Sequence, residues 1–333
     1  GGGGGRGGGG RHGGRGGRGG RGGRGSRCAP ADDPEFDDEI TAGIKADVRM
    51  FSGCDDHQTS ADVHDVAKFG LPDASGAGGA CTNAVLVNAK DKKPDSWMTL
   101  LKGMRGTLKE KKFAQQIPQL ATSKKMDIHS PFSLSGGGGG KHKALLIGIN
   151  YVGCGAGELK GCHNDVASMK EYIVEHGYAA DKGPDLKILL DDGDHPSPTR
   201  ENITSALKWL THGASSGDSL FMHYSGHGGS VPDQTGDEED KKDETMVPVD
   251  YAKAGQIKDD DILAMLVLPL PEGVTLTVVM DCCHSGSILD LPYSFDADDG
   301  ALELIDGGGS GVVHKKGNFN MKKVRIFFIY TYS

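Results

Sequence analysis

The chain has 333 residues, of which 54 are glycine, and its formal net charge is −9 at pH 7. That length allows one or two domains with a sizeable core, and no apolar run approaches the ~18 residues of a membrane span. The seven cysteines are odd in number and sparse, which argues against a disulfide framework or a paired CxxC zinc site and favours a reducing compartment, the cytoplasm or the nucleus. Because the sequence does not begin with Met, it leaves open a targeting peptide.

Residues 1–27 form an Arg-Gly-Gly tail with 18 glycines and seven arginines, and without those arginines the formal net charge falls from −9 to −16. Such a segment cannot bury a core, so we expect it to be disordered. Two interpretations stay open: a flexible, solubilising leader, or a segment that binds RNA by charge and stacking. The lack of interleaved aromatic residues weakens the second.

Residues 28–135 form a first folded segment. Its pattern predicts strands at residues 47–51 and 117–122 and helices at residues 84–90 and 96–111. Two strands and two helices make a thin domain, so we expect this segment to complete the sheet of the region that follows.

A glycine run at residues 136–142 predicts a flexible linker, and a stronger pattern follows over residues 143–293. The predicted strands are residues 143–149, 186–190, 219–224 and 274–280, and the predicted helices are residues 162–176, 199–212 and 259–268. Thr199 is a plausible N-cap of the second helix. This alternation predicts an α/β fold with a parallel sheet covered on both faces. Residues 294–333 have no assigned structure, although 324–331 is β-prone and could form an edge strand.

Two of these strands end in small-residue turns that each carry a reactive side chain, His227 in Ser-Gly-His-Gly-Gly and Cys283 in Asp-Cys-Cys-His-Ser-Gly. In parallel α/β sheets, function gathers beyond the carboxyl ends of the strands. Cys283 would then be a nucleophile and His227 the base that takes its proton. The alternative is that Cys283 is a small buried core residue.

The neighbours of these two residues can be sorted by position. The N–H groups of Gly228 and Cys283 could hold an oxyanion, because Gly228 has no side chain to obstruct its backbone. Cys282 and His284 are rivals by position alone. Alternation along the strand points Cys282 to the opposite face of the sheet, which favours a packing role.

The two turns, His-Tyr-Ser-Gly-His-Gly-Gly and Asp-Cys-Cys-His-Ser-Gly, resemble the catalytic p20 region of metacaspases, which are caspase-like cysteine peptidases. Residues 143–150 and 159–165 match the opening of that region, so the resemblance covers about residues 143–293. It implies a caspase-like α/β/α sandwich with a mainly parallel central sheet, and a Cys/His dyad. The motifs differ from the Gln-Ala-Cys signature of caspases, which argues against cleavage after Asp.

Three earlier stretches, at residues 48–62, 78–82 and 117–120, are similar to the p10 region of type I metacaspases. In type I proteins that region follows p20, whereas here it precedes it. This swapped order marks type III metacaspases, known from algae. It also leaves no segment joining p20 to p10 downstream of Cys283, so we do not expect activation by cutting such a linker.

The same resemblance places Asp165, Ser225 and Asp281 in the pocket for the residue before the scissile bond. Two carboxylates in one cleft would pair with a guanidinium or ammonium group, so we expect cleavage after Arg or Lys. Taken alone, Asp165 could instead be an acid in the first turn of a helix that stabilises the helix dipole.

The chain between the His and Cys turns is crowded with carboxylates, at residues 237–240, 243–244 and 259–261. A solvated acidic loop is one interpretation. The other is a Ca²⁺ site, because a hard cation with 6–8 oxygen ligands would relieve the repulsion. In metacaspases the calcium ligands fall at the positions of Asp243, Asp259, Asp260 and Asp290. Calcium would then act as a switch that orders the loop, and not as a catalyst.

The expected partners are protein or peptide substrates with Arg or Lys before the scissile bond. The tail repeats that residue from Arg6 to Arg27, so the enzyme could trim its own tail, and the lysines at 315, 316, 322 and 323 are further candidates. A rival from another class is an RNA-associated or scaffolding protein that acts through residues 1–27. A calcium-binding pseudoenzyme is a third possibility, which the intact Cys/His pair disfavours.

Overall fold

The computed structural model describes residues 1, 43–53, 62–63, 78–91, 94–180, 183–232, 242–283, 285–296 and 314–315. Several sequence predictions concern residues outside these ranges. They are the tail after Gly1, the acidic run 237–240, His284, the lysines at 316, 322 and 323, and the β-prone segment 324–331. In the described ranges, no helix has the length and apolar character needed to cross a membrane.

The described part of the chain contains thirteen strands and six α-helices. The strands are β1 (Asp47–Ser52), β2 (Asp62–Val63), β3 (Gly78–Gly79), β4 (Gln119–Thr122), β5 (His142–Gly148), β6 (Leu186–Leu190), β7 (Ser219–Ser225), β8 (Gly228–Pro232), β9 (Lys242–Met246), β10 (Ile257–Lys258), β11 (Thr275–Asp281), β12 (Tyr293–Asp296) and β13 (His314–Lys315). The helices are α1 (Ala80–Leu86), α2 (Trp97–Glu110), α3 (Cys162–Glu175), α4 (Arg200–Thr211), α5 (Tyr251–Ala254) and α6 (Asp259–Ile262). Helices α1 and α6 run on into π-helical turns, Val87–Asp91 and Leu263–Val267, and Gly155–Gly157 forms a 3₁₀ turn.

An eight-stranded central sheet has the order β13-β12-β4-β1-β11-β7-β5-β6. The strands from β1 to β6 in this order are parallel, and β4, β12 and β13 continue the sheet antiparallel beyond β1. The prediction of a mainly parallel α/β sheet is therefore confirmed. Strand β1, from the N-terminal segment, lies inside the sheet and pairs with β11 from Asp47↔Thr275 to Ser52↔Met280.

Helices cover both faces of this sheet, which gives the sandwich its two cores. On one face, α1, α2 and α3 pack against residues such as Phe221 and Val279, and on the other α4 and the α6 region pack against Met222 and Val278. Every residue of β7 and β11 is buried, as expected for parallel strands covered on both sides. Each large apolar side chain buried in these layers contributes about 1.5–3 kcal/mol to stability.

Local signals account for where some helices begin. Thr199 is the N-cap of α4, and its hydroxyl accepts the N–H of Asn202 at 3.2 Å, which confirms the N-cap prediction. Ser96 does the same for α2 with the N–H of Thr99, also at 3.2 Å. Each side chain satisfies an N–H group that has no partner inside the helix.

The glycine run before β5 is packed, and not a free spacer. The N–H of Gly140 donates to the carbonyl of Gly217 at 3.1 Å. A Cβ at Gly138 would lie 2.7 Å from the Gly217 backbone. Residues 136–142 differ in two ways from the predicted flexible linker. The glycines allow close backbone approach to the turn before β7, and the last residue, His142, already belongs to β5.

A second sheet, which the sequence analysis did not predict, lies beyond the carboxyl end of β7. It has three antiparallel strands in the order β10-β9-β8. Strand β8 begins at Gly228, directly after His227, and β9 carries Asp243. This small sheet therefore joins the histidine turn to the acidic part of the chain.

Candidate active site

The two reactive turns leave the central sheet side by side. Strands β7 and β11 are parallel neighbours, and their last paired residues are Ser225 and Asp281. The N–H of Gly226 donates to the carbonyl of Asp281 at 3.3 Å. A Cβ at Gly228 would overlap the carbonyl oxygen of Cys283 and lie 3.2 Å from its nitrogen. The absence of a side chain at Gly228 is thus what lets the two turns meet.

A pocket of about 110 Å³ opens where these turns meet. The residues that line it are Gly79, Leu159, Cys162, Asp165, Ser225, Gly226, His227, Asp281, Cys282 and Cys283. Cys283 is partly exposed, whereas Cys282 is only 1% exposed and joins the core on the α4 face of the sheet. This difference agrees with the alternation along the strand.

The ring of His227 is held from two sides. Its Nε2 lies 2.7 Å from the carbonyl oxygen of Gly157, and its ring packs against that of Tyr151 with centroids 4.5 Å apart. A carbonyl oxygen can only accept a hydrogen bond, so Nε2 carries the proton in the neutral ring and Nδ1 has the free lone pair. The ring therefore presents one nitrogen that can act as a base.

Asp191, directly after β6, fixes the loop that supplies the Gly157 carbonyl. Its carboxylate accepts the N–H groups of Asn150 and Val152, at 2.8 and 3.1 Å, and lies 2.6 Å from Nε2 of His163. Burial would raise the pKa of Asp191, but these hydrogen bonds outweigh it and lower the pKa below its ordinary value. The loop is thereby tied to both β6 and α3.

Two carboxylates form one wall of the pocket, and the N-terminal segment holds both. Asp165 accepts the N–H of Gly79 through both oxygens, at 2.9 and 2.8 Å, and the hydroxyl of Ser225 at 2.7 Å. Asp281 accepts the N–H of Thr82 at 2.7 Å. Both side chains are almost fully buried, with 2% and 4% exposure. The beginning of α1 therefore brings these two acids into one wall.

Below this wall lies a buried histidine, His223 on β7. Its Nε2 is 3.1 Å from the hydroxyl of Thr82, and its Nδ1 has no hydrogen-bond partner in the described part of the chain. Burial lowers the pKa of His223 to about 3, so the ring is neutral at ordinary pH. His223 thus supports the residue that holds Asp281 without adding charge.

A second group of acids lies on β9 and at the start of α6. Asp243, Asp259 and Asp260 offer carboxylate oxygens that all lie within 4.8 Å of one another. Lys258 forms an ion pair with Oδ2 of Asp243, and this hydrogen bond raises the pKa of Lys258. Oδ1 of Asp243 is buried and has no hydrogen-bond partner within the described ranges. An oxygen-only donor set with a buried, unpartnered oxygen fits a hard cation such as Ca²⁺.

The fourth predicted ligand, Asp290, lies in the loop after β11 and is not part of that group of three. Its N–H donates to the carbonyl of Ser287 at 2.7 Å, and the hydroxyl of Ser287 donates to Glu244 at 2.9 Å. Glu244 follows Asp243 in β9. The loop downstream of Cys283 is therefore tied to the strand that carries the acidic group.

Comparison with known proteins identifies the family. A family model of the metacaspase peptidase C14 domain matches residues 142–292. A protein of Phaeodactylum tricornutum, Metacaspase III c, is 46% identical over 279 residues, which are 81% of this chain and 82% of that protein. The chain belongs to the metacaspase family. Residues 142–333 number only 192 (333 − 142 + 1), so the alignment of 279 residues must also include residues before 142.

Fungal metacaspases match a shorter part of the chain. Metacaspase-1 of Mycosarcoma maydis is 47% identical over 184 residues, which are 54% of this chain and 45% of that protein. Metacaspase-1B of Neurospora crassa is 52% identical over 158 residues, 47% of this chain and 36% of that protein. This metacaspase is a cysteine endopeptidase of the caspase-like family.

The structure brings together His227, Gly228, Cys283, Asp165, Ser225 and Asp281, all of which the sequence analysis named for this site. It also adds residues that the sequence does not predict for the site: Tyr151, the Gly157 carbonyl, Gly79 and Thr82. Most of these act through backbone groups, which a motif does not reveal. The Gly-Gly-Ala-Cys-Thr stretch at residues 78–82 is the sequence signal nearest to these groups, and as a motif it indicates the subtype and not the contacts.

Proposed function

We propose that this metacaspase cleaves after Arg or Lys, with Cys283 as nucleophile and His227 as base, and that calcium controls its activity. The observation that carries the specificity is the pair of buried carboxylates, Asp165 and Asp281, in the pocket that Cys283 lines. None of the ten described residues lining this pocket is Lys or Arg, so a substrate would have to bring the positive charge. A guanidinium can engage such carboxylates through several hydrogen bonds.

The proposed reaction uses these groups in the following order. Nδ1 of His227 takes the proton from Sγ of Cys283, and the thiolate attacks the substrate carbonyl carbon. The N–H groups of Gly228 and Cys283 stabilise the oxyanion that forms. His227 then protonates the leaving amine, and water hydrolyses the acyl-enzyme with His227 again acting as base. The Gly157 carbonyl accepts the Nε2 proton, which leaves Nδ1 as the basic nitrogen whenever the ring is neutral.

Calcium control is supported by the acidic group and its connections. Asp243, Asp259 and Asp260 would hold the cation, and Lys258 supplies a single positive charge beside these three carboxylates. When bound, calcium would neutralise the crowded charges. The chain's own contacts then link this group to the catalytic loop, through Glu244 and Ser287. A change in the acidic group can therefore affect the residues after Cys283.

Two fluorogenic peptides test this function. One has Arg before the leaving group and the other has Asp, and each is assayed with calcium and with excess EGTA. We expect cleavage of the Arg peptide only, and only with calcium. His227→Ala and Cys283→Ala should both be inactive. Full activity in EGTA would contradict calcium control, and equal rates on the two peptides would contradict the specificity.

We also propose that the arginine-rich tail is a substrate of the enzyme. Seven arginines lie within residues 1–27, and each is a residue of the preferred type. N-terminal sequencing after addition of calcium should show new ends after these arginines in the wild type but not in Cys283→Ala. An unchanged N-terminus in both proteins would refute the idea.

A further inference from the structure

The small sheet next to the active site stops pairing at the catalytic histidine. Strands β8 and β9 are antiparallel, and their ladder ends with Gly228 opposite Met246. The next pair along this ladder would be His227 and Val247. Neither residue belongs to a described strand, so the backbone N–H and C=O groups of both need other partners.

Two tyrosine hydroxyls fill this position between the strands. The hydroxyl of Tyr151 accepts the N–H of His227 at 2.9 Å and donates to the carbonyl of Val247 at 2.7 Å. The hydroxyl of Tyr224 donates to the carbonyl of His227 at 2.8 Å and accepts the N–H of Val247 at 3.3 Å. Each hydroxyl thus donates once and accepts once, and all four backbone groups are satisfied.

The two tyrosine hydroxyls lie close together and stay protonated. The two hydroxyl oxygens lie 3.3 Å apart, and both tyrosines are buried. Burial raises the pKa of both hydroxyls above their ordinary value, so they stay protonated and able to donate wherever the enzyme works. The bridge therefore does not depend on pH in the range where a Cys/His pair titrates.

Two local features make room for the bridge that the Tyr151 and Tyr224 hydroxyls form. A Cβ at Gly226 would lie 2.9 Å from the Tyr224 hydroxyl and 3.2 Å from that of Tyr151, so a side chain there would crowd both. Tyr151 has a φ of +53°, in the left-handed region that non-glycine residues rarely adopt. This conformation places its ring against the His227 ring while its hydroxyl reaches the His227 backbone.

We propose that Tyr151 and Tyr224 are positioning residues for catalysis, which fix the backbone of His227 so that its ring stays aligned between Gly157 and Cys283. This inference rests on the proposed role of His227 as the base. The tyrosines act through His227 and need not touch the substrate. Their loss should therefore slow the chemical step and leave substrate binding in place.

Tyr151→Phe and Tyr224→Phe test the proposal, because each keeps the ring and removes only the bridging oxygen. We expect kcat on an Arg peptide to fall by about tenfold to a hundredfold, since small misplacements of a catalytic group have effects of this size. KM should change little. Tyr178→Phe is the matched control: its hydroxyl is also buried but has no hydrogen-bond partner in the described ranges.

Alkylation of Cys283 by iodoacetamide across a range of pH gives a readout that a purely structural role would not change. In both variants the pH dependence of the alkylation rate should shift toward that of a free thiol, whose pKa is about 8.5, because the His227 partner is misaligned. Rates are compared at a temperature at which circular dichroism shows each variant folded. Wild-type kcat and an unchanged alkylation profile in both variants, with His227→Ala inactive, would overturn this inference alone. Activity in His227→Ala would overturn the role of His227 itself.

Discussion

Single glycines decide whether the two parts of the pocket beside Cys283 can meet. At Gly79 an added Cβ would overlap the carboxylate of Asp281 and lie 3.0 Å from that of Asp165. The backbone N–H of the same residue holds Asp165. Gly79 is therefore needed for its lack of a side chain and not for an unusual backbone conformation, because its φ of −73° suits any residue.

Gly79→Ala tests whether position 79 must lack a side chain, because it adds a single carbon atom. The methyl group must displace Asp281, so we expect kcat/KM on an Arg peptide to fall by at least about tenfold. Gly106→Ala is the control, since a Cβ at that position in α2 meets nothing within 4 Å. That change should leave activity intact and stabilise the protein by about 0.5–1 kcal/mol. An unchanged kcat/KM in Gly79→Ala would show that the pocket does not need this contact.

The buried His223 should make stability depend on pH. Its pKa is about 3 in the folded protein and 6.5 when exposed, so between these values the unfolded chain binds a proton that the folded protein does not. Stability should therefore fall as pH falls from 6.5 toward 3, by up to about 1.4 kcal/mol per pH unit from this group. Above pH 6.5 the effect should vanish.

His223→Gln removes this titration and keeps a group that can hydrogen-bond Thr82. Urea unfolding of both proteins between pH 4 and 7 should give a shallower pH dependence for the variant, whatever its stability at pH 7. Parallel curves for the two proteins would mean that His223 is not held neutral in the fold.

The sequence predicts the bounds of the secondary structure best where side-chain patterns repeat. The apolar runs predicted the central strands to within one or two residues, and for β6 the prediction and the structure coincide. The sequence does not predict the small β8–β10 sheet, because Gly-Gly-Ser-Val-Pro and an acidic stretch carry no apolar alternation. The glycine run before β5 predicts a flexible linker, whereas the structure packs it against Gly217, because glycine composition is the same for a flexible chain and for close backbone approach.

The residues of the candidate site also divide into those that the sequence predicts and those that it does not. That Cys283, His227, Asp165 and Asp281 lie together could be predicted, because they stand in or near turns that resemble known motifs. The contributions of Gly79, Thr82 and Gly157 could not, because they come from backbone groups whose positions depend on the whole fold. Tyr224 belongs to the His-Tyr-Ser-Gly-His-Gly-Gly turn, but only the structure shows that its hydroxyl bonds the backbones of His227 and Val247.

Strand β9 carries Asp243 of the acidic group and leads to Val247, whose carbonyl accepts a hydrogen bond from Tyr151. Asp243→Asn removes one charge from the group, so we expect the calcium concentration for half-maximal activity to rise roughly tenfold. The increase in melting temperature on adding calcium should shrink in parallel. Asp261→Asn is the matched control, because Asp261 pairs with Arg200 at 3.4 Å and is outside the group of three. Equal calcium responses in both variants would remove Asp243 from the site.

The order of the segments along the chain has a structural consequence. The N-terminal segment supplies β1, which lies between β4 and β11, and α1, which holds the two pocket acids. Neither the sheet nor the pocket is complete without it. The connection before β5 lies against the turn at Gly217 and away from the lining of the pocket.

The covalent connection should therefore be dispensable once the protein has folded. A cleavage site inserted after Ser135, for a protease that does not cut after Arg or Lys, allows the chain to be cut in the folded state. We expect the two fragments to co-elute on size exclusion and to keep most of the activity, because the six residue pairs between β1 and β11 and the core around α1 and α2 stay buried. A variant with the same insertion but a blocked cleavage site controls for the insertion itself. Separation of the fragments with loss of activity would show that the chain connection, and not the shared sheet, holds the pocket together.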